Sequence, residues 1–432
     1  MTAPSFVAFY GAVNGGRRPF PWQERLAEQV VEGGWPTDIG VPTGLGKTSC
    51  LDVAVWALAA ERCASIGTDR QSIRIWYVVN RRLLVDAAAD HGALLAELLA
   101  HPEKARASDS GVGKEEVEAL REVSASLGAL SALGVSGGPL QVTRLRGGAE
   151  LGARPVDPSQ PALVFATVPM FASRLLLRGY GSSAGMRPVD AALAGIDSLV
   201  LLDEAHLARP LRRLVEACAE ADLGDPSQVL AGERSRPRVV ALTATGEDRG
   251  QRFDLDEVDR DHPVVARRLS ATKPTTLVPT EKKKLARAVA TAAADLLDRR
   301  PGSAVVAFCN TVRLARDVES ALQQEKKRDR RPFEVVLVTG RMRDREGDAV
   351  RAGLLDPASG ASAGRQLSPA GGVGLVVVAT QTLEVGADLD FDFLVTETAS
   401  VRALTQRFGR LNRLGLRPHA AAVICHPVDT TS

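Results

Sequence analysis

Short aliphatic runs recur along the chain, each followed by a helix-like stretch or a polar loop. They are IRIWYVV (73–79), ALVFAT (162–167), SLVLLDEA (198–205), RVVALTAT (238–245), AVVAFCN (304–310), GLVVVAT (374–380) and DFLVTE (392–397). Near-continuous Val, Leu and Ile, rather than strict alternation, suits strands buried on both faces. The pattern predicts an α/β architecture in which helices cover parallel sheets. From Gly246 to Pro279 the rhythm breaks into charged and Pro-rich sequence, which reads as the crossing between two lobes. One lobe is expected over residues 1–265 and a second over 266–432, with a Lys/Arg-rich helical segment from Thr280 opening the second strand series. Residues 93–135, rich in Ala, Leu and Glu, predict a helical insertion on the first lobe. Residues 357–372 are small and polar and read as a mobile loop.

Composition narrows this picture. The 432 residues suffice for two or three domains at roughly 100–200 residues each. Hydrophobic residues at 45% and charged residues at 25% are those of an ordinary soluble globular chain. A net charge of only +2 means that any nucleic acid must be held by local clusters rather than by an overall basic field. The cysteines, at 50, 63, 218, 309 and 425, form no CxxC pair, which argues against a zinc ribbon, an iron–sulfur cluster and a disulfide framework. No secretory signal and no apolar run of roughly 18 residues is visible, so a cytoplasmic protein with no membrane partner is expected.

The chemistry begins at Pro42–Thr43–Gly44–Leu45–Gly46–Lys47–Thr48. Glycines here let backbone N–H groups turn toward phosphate oxygens at the positive end of a following helix, predicted from Ser49 to Arg62. Lys47 supplies a point charge to the β and γ phosphates, and the Thr48 hydroxyl can ligate Mg²⁺. The strict phosphate-loop pattern would place Gly where this chain has Val41. Further on, Asp203–Glu204–Ala205–His206 follows the run SLVLL, so both carboxylates stand at the carboxyl edge of a sheet, where α/β folds bind ligands. Asp203 is expected in the Mg²⁺ shell, and Glu204 is expected to orient and deprotonate the attacking water.

These motifs, in this order, resemble those of superfamily 2 helicases. The resemblance implies two tandem RecA-like parallel-sheet lobes with the ATP site in the cleft between them. Gln23, after Phe20–Pro21–Trp22, resembles the glutamine that reads adenine. Thr243–Ala244–Thr245 resembles the motif that couples hydrolysis to strand movement, which assigns coupling to Thr243 and Thr245. Thr380–Gln381–Thr382–Leu383–Glu384–Val385–Gly386–Ala387–Asp388 resembles the second-lobe motif that touches nucleotide and strand, with Gly386 and Asp388 on the nucleotide. Gln406–Arg407–Phe408–Gly409–Arg410–Leu411–Asn412–Arg413 resembles the arginine-finger motif, which places Gln406 at the nucleotide. Arg410 and Arg413 lie three apart and share one face if helical. From the second lobe they are expected to neutralise charge developing in phosphoryl transfer, worth about 10³–10⁵ in rate.

Within the superfamily the chain is most similar to the CRISPR-associated helicase component of type I systems, in the variant whose nuclease lies C-terminal to the helicase. The similarity rests on Ile75–Trp76–Tyr77–Val78–Val79–Asn80–Arg81–Arg82, Leu145–Arg146–Gly147–Gly148, Ser173–Arg174–Leu175–Leu176–Leu177–Arg178–Gly179–Tyr180–Gly181, Thr339–Gly340–Arg341–Met342–Arg343 and Asn412–Arg413–Leu414–Gly415. Two departures stand out. Pro169–Met170 replace the acidic and amide pair expected after Thr167–Val168. None of the six histidines is followed by Asp, so the metal-binding His–Asp of the nuclease is missing. The expectation is therefore a helicase half whose nuclease domain or chain is supplied elsewhere.

The resemblance also implies one strand running across both lobes, gripped through its phosphates. The candidates are Asn80, Arg81, Arg82, Arg146, Gly147, Thr167 and Arg174 on the first lobe, and Asn310, Thr311, Arg341, Arg343 and Thr382 on the second. Aromatic residues are only 4% of the chain, which argues against extensive base stacking and sequence readout. Lys282–Lys284 and Lys326–Arg331 read as solvated faces. The reading is an ATP-dependent motor on single-stranded DNA delivered by a CRISPR surveillance complex. The alternatives are an RNA helicase, a restriction-type DNA translocase, or a clamp that binds ATP and DNA without turnover.

Overall fold

The structure, a computed structural model, describes residues 4–61, 71–80, 82–106, 111–131, 138–145, 158–221, 236–243, 251–329, 332–340, 342–356, 359–365, 372–384 and 388–428. Of the candidates named above, Arg81, Arg146, Gly147, Thr245, Arg341 and Gly386 lie outside the described residues, as does the side chain of Arg82. The chain divides into two compact units, Met1–His262 and Pro263–Ser432.

The first unit opens with α1 (Phe6–Val13), α2 (Pro21–Gly33), β1 (Asp38–Ile39), α3 (Cys50–Glu61) and β2 (Arg74–Val79). It continues through α4 (Arg82–Ala100), α5 (Lys114–Gly128), β3 (Gln141–Leu145), β4 (Ala162–Thr167), α6 (Val168–Leu175) and α7 (Arg187–Gly195). It closes with β5 (Ser198–Asp203), α8 (Arg209–Ala221), β6 (Arg238–Leu242), β7 (Arg252–Phe253) and α9 (Glu257–Asp261). Its strands stand in the order β3-β4-β2-β5-β6-β1-β7, and every pairing is parallel. One face of β2, through Trp76 and Val78, packs with Val164, Val200 and Leu202 against Phe171, Leu211 and Val215. On α3 every residue from Cys50 to Ala60 is buried. A helix apolar almost all round can only be a core helix. The helical reading of 93–135 falls on the end of α4 and on α5, which packs against α1 and α3 through Val117, Leu120, Val123 and Leu127.

The second unit runs α10 (Pro263–Ser270), β8 (Thr275–Glu281), α11 (Leu285–Arg299), β9 (Ala304–Phe308), α12 (Val312–Asp329) and β10 (Phe333–Val338). It ends with α13 (Asp344–Leu355), β11 (Gly374–Ala379), β12 (Phe393–Glu397), α14 (Val401–Phe408) and β13 (Ala421–Val428). The strand order is β10-β11-β9-β12-β13-β8, again parallel throughout. Val305, Val376, Val378 and Val395 face α11 and α12, whereas Val306, Val377 and Leu394 face Leu354, Leu383, Phe391 and Leu411.

Two expectations need correction. The stretch 246–279 is not all crossing: Arg252–Phe253 pairs with β1 in the first sheet, and Thr275–Pro279 pairs with β13 in the second. Charge and Pro hid both strands, because each is an edge strand with one side free of a partner strand. The stretch 357–372 is not uniformly loose either. Ala361 is fully buried, Ser362 bridges to Leu389, and the buried Arg365 pairs with Asp392.

Candidate functional site

Strand β1 delivers the chain to the phosphate loop through the buried Val41. Gly44 and Gly46 take φ of 88° and 82°, the left-handed region that side chains resist. A Cβ on Gly46 would also stand 3.0 Å from the Gln23 amide nitrogen. After this turn Lys47–Ser49 form a short 3₁₀ segment that leads directly into α3. Thr43, Gly46 and Thr48 face solvent, whereas Lys47 is 8% exposed. The Lys47 ammonium is buried with no hydrogen-bond partner among the described residues. An unpaired buried cation is costly, so its presence beside a glycine cradle fits an anion that completes it.

Gln23 and Trp22 hold the loop from behind. The Trp22 indole N–H donates to the Leu45 carbonyl at 3.2 Å. Gln23 is fully buried; its Nε2 donates to Ser49 Oγ at 2.6 Å, and its Oε1 accepts from the Phe20 N–H at 2.7 Å. Its amide is thus engaged by the loop itself, and an adenine contact would require it to leave Ser49.

Asp203 ends β5, and its two oxygens have different donors. Oδ1 accepts from the Glu204 N–H at 2.9 Å, and Oδ2 accepts from the Tyr77 hydroxyl at 2.9 Å. The phenol thus anchors one of the two expected magnesium ligands. Burial, reinforced by the Asp203 charge, pushes the Tyr77 phenol well above its ordinary value. The same two causes push up the fully buried Cys50 thiol beside the loop.

Glu204 takes φ 51°, a left-handed conformation that costs a non-glycine residue of order 1 kcal/mol. Its N–H also bonds to the Leu242 carbonyl at 3.0 Å, which ties it to the neighbouring strand. His206 links Glu204 (Nδ1 to Oε2, 3.4 Å) to the Thr243 hydroxyl (3.3 Å). This gives the expected coupling residue Thr243 a physical route to the expected water-activating carboxylate.

In the second unit the candidate arginines do not share a helix face. Helix α14 stops at Phe408, and Asn412 takes φ 44°. Between them Gly409 and Arg410 form a turn and Leu411 bridges to Phe391, whose N–H donates to the Arg410 carbonyl at 2.8 Å while the Asn412 N–H returns to the Phe391 carbonyl at 3.0 Å. Arg410 is buried, and its Nε donates to the Glu384 carbonyl at 3.3 Å. Arg413 pairs with the exposed Asp388 at 3.3 Å and donates its N–H to Asp390 at 2.7 Å. Gln406, half-buried, stands one residue before the fully buried Arg407.

Arg407 was not singled out by its sequence. Its guanidinium bonds Glu384 at 2.9 Å, Thr396 at 2.7 Å and Asn310 at 2.8 Å, joining the segments after β9 and β11 to strand β12. Beneath Arg413, Asp390 and Asp392 are clamped by Arg365 and Arg417 in a buried ion cluster. No signal in the chain separates these from the other arginines between 402 and 417, because only the fold reveals their burial.

The strand candidates divide. Asn80 and Arg343 are exposed after β2 and β10, and Thr311, also exposed, caps α12 by accepting from the Leu314 N–H. Thr382 is half-buried and donates to the Val338 carbonyl at 3.2 Å. Asn310 spends its side chain on Arg407 and Thr398, and Thr167 is 8% exposed. Arg174 is buried with Nη1 on the Met170 carbonyl, so it is not presented to a strand.

Two all-parallel sheets, with the phosphate loop and paired acids at one carboxyl edge and buried arginines at the other, define a tandem RecA-like α/β fold. T. fusca Cas3 with AMPPNP matches with a TM-score of 0.59 at 17% identity, over 100% of this chain and 48% of that one. The DUF1998 helicase MrfA bound to DNA matches with a TM-score of 0.59 at 14% identity, over 100% and 52%. S. cerevisiae Dbp5 bound to RNA and ADP BeF3 matches with a TM-score of 0.52 at 14% identity, over 99% and 88%. This chain thus spans about half the length of the Cas3 and MrfA structures.

A narrower assignment comes from sequence: residues 301–415 match the family of the CRISPR-associated nuclease/helicase Cas3, C-terminal. Together these findings show the tandem RecA-like fold over the whole chain and a Cas3-like segment within the second unit. No curated protein sequence matches the chain. No helix among the described residues is long and apolar enough to cross a membrane.

Proposed function

We propose that the chain is an ATP hydrolase stimulated by nucleic acid, which moves along single-stranded DNA in a CRISPR type I defence pathway. One observation carries the nucleotide half of this reading: the unpartnered Lys47 ammonium beneath a glycine turn, with the Asp203 carboxylate held by the Tyr77 hydroxyl. Thr43, Gly44, Gly46 and Lys47 would hold the ATP phosphates. Thr48 and Asp203 would hold Mg²⁺, which supplies charge neutralisation at the β and γ phosphates when bound. Glu204, in its fixed left-handed turn, orients water and takes its proton. His206 and Thr243 relay the state of that carboxylate to the segment after β6. The reading further requires Arg410 or Arg413 to reach the nucleotide. Arg413 is the freer of the two, since its partner Asp388 is solvent-exposed.

The DNA preference and the CRISPR setting rest on the Cas3 family match and the likeness to Cas3 and MrfA. A surveillance complex would deliver the strand, and a nuclease domain or chain would cut it. The likeness to RNA-bound Dbp5 favours an RNA helicase as the second reading.

ATP hydrolysis with and without single-stranded DNA or RNA separates the readings, with Lys47→Ala and Glu204→Gln as controls. Stimulation by DNA that is lost in both variants is the expected result. Equal or stronger stimulation by RNA favours the second reading, and binding without turnover leaves a non-hydrolysing clamp.

A further inference from the structure

Tyr77 is one of three tyrosines in the chain, placed in the fully buried strand β2. It lies on the opposite face of that strand from Trp76 and Val78, which belong to the core on the far side of the sheet. Its ring is 2% exposed and leans on Phe165 with centroids 6.1 Å apart, so close packing keeps the phenol from swinging away. The hydroxyl donates to Asp203 Oδ2 at 2.9 Å, while Asp203 Oδ1 is held by the Glu204 N–H. A carboxylate at a strand end can rotate about its last bond. These two donors on opposite oxygens fix that rotation before any nucleotide arrives.

Resting on the nucleotide reading above, we propose that Tyr77 is a positioning residue for the magnesium side of the site, acting through the Asp203 carboxylate. Outer partners of this kind orient a metal ligand, and their loss typically costs about 10–100-fold in metal affinity.

The test is mant-ADP binding by the full chain while Mg²⁺ is titrated, with Tyr77→Phe compared to wild type. In the variant the Mg²⁺ midpoint is expected to rise about 10–100-fold, with magnesium-free affinity unchanged. In the Asp203→Asn background the same change is expected to add nothing, because the residue acts through that carboxylate. An unchanged midpoint in folded Tyr77→Phe, or an equal added shift in the Asp203→Asn background, overturns the proposal alone. Wild-type protein that binds no mant-ADP overturns the nucleotide reading as well. Should Tyr77→Phe not fold, Tyr77→His, with a shorter donor, is expected to shift the midpoint in the same direction, and no shift overturns the proposal.

Discussion

The two units treat their cations in opposite ways. In the first, Lys47 is buried without a partner beneath an open turn of glycines. In the second, Arg407 is matched to Glu384, and Arg365 and Arg417 to Asp392. The first arrangement stores a desolvation cost that a bound anion relieves, so it is built for binding. The second has its carboxylates already in place, so it is built for shape: it ties the loops after β9 and β11 to strand β12. Breaking a satisfied buried pair and removing an unsatisfied buried charge should therefore have opposite effects on stability.

The largest expected effect is catalytic. Arg413→Ala should lower steady-state ATP turnover by about 10³-fold or more while mant-ADP binding is retained. A fall of less than about tenfold would mean that Arg413 belongs with the shape-holding arginines. Next, Arg407→Met should destabilise the second unit by about 3–5 kcal/mol in denaturant unfolding, because it leaves Glu384 buried and alone. By contrast, Lys47→Met should stabilise the nucleotide-free protein by about 1–3 kcal/mol while mant-ADP binding disappears. If both substitutions destabilise, the contrast between the units fails.

The smallest effect concerns the one described histidine paired with a fully buried carboxylate. His91 Nε2 lies 2.7 Å from Asp52, which also accepts from Asn14. Burial alone would lower the imidazole, but the Asp52 charge and hydrogen bond outweigh it and raise it. A raised folded value means that the stabilisation is fully present below about pH 6.5, the unfolded value, and is lost as pH rises through the folded one. Melting temperature should fall across that window in the wild type, and the fall should flatten in His91→Gln.

All seven aliphatic runs became strands, because a strand covered on both faces carries its burial in its own composition. The strands that escaped reading have other reasons. Asp38–Ile39 is two residues long, while Thr275–Glu281 contains Pro279 and is exposed along most of its length at a sheet edge. The phosphate loop and the acidic pair were legible because their chemistry is local. Tyr77 and Arg407 were not, since each matters only through partners distant in sequence: Asp203 for one, Asn310 and Glu384 for the other. The helical reading of Arg410 and Arg413 failed on two local facts, the end of α14 at Phe408 and the left-handed Asn412.

The position of β1 also sets a timetable for biosynthesis. Asp38 pairs with Ala241 on one side and Arg252 on the other. The strand that presents the phosphate loop therefore emerges early and must wait for neighbours made roughly 200 residues later, about 10–40 s at typical ribosomal speeds. Until then the loop has no sheet edge to stand on. On the proposed nucleotide reading, competence to bind would arrive only when the first unit is almost wholly synthesised, and a nascent chain halted before β6 would carry the phosphate-loop sequence without its sheet.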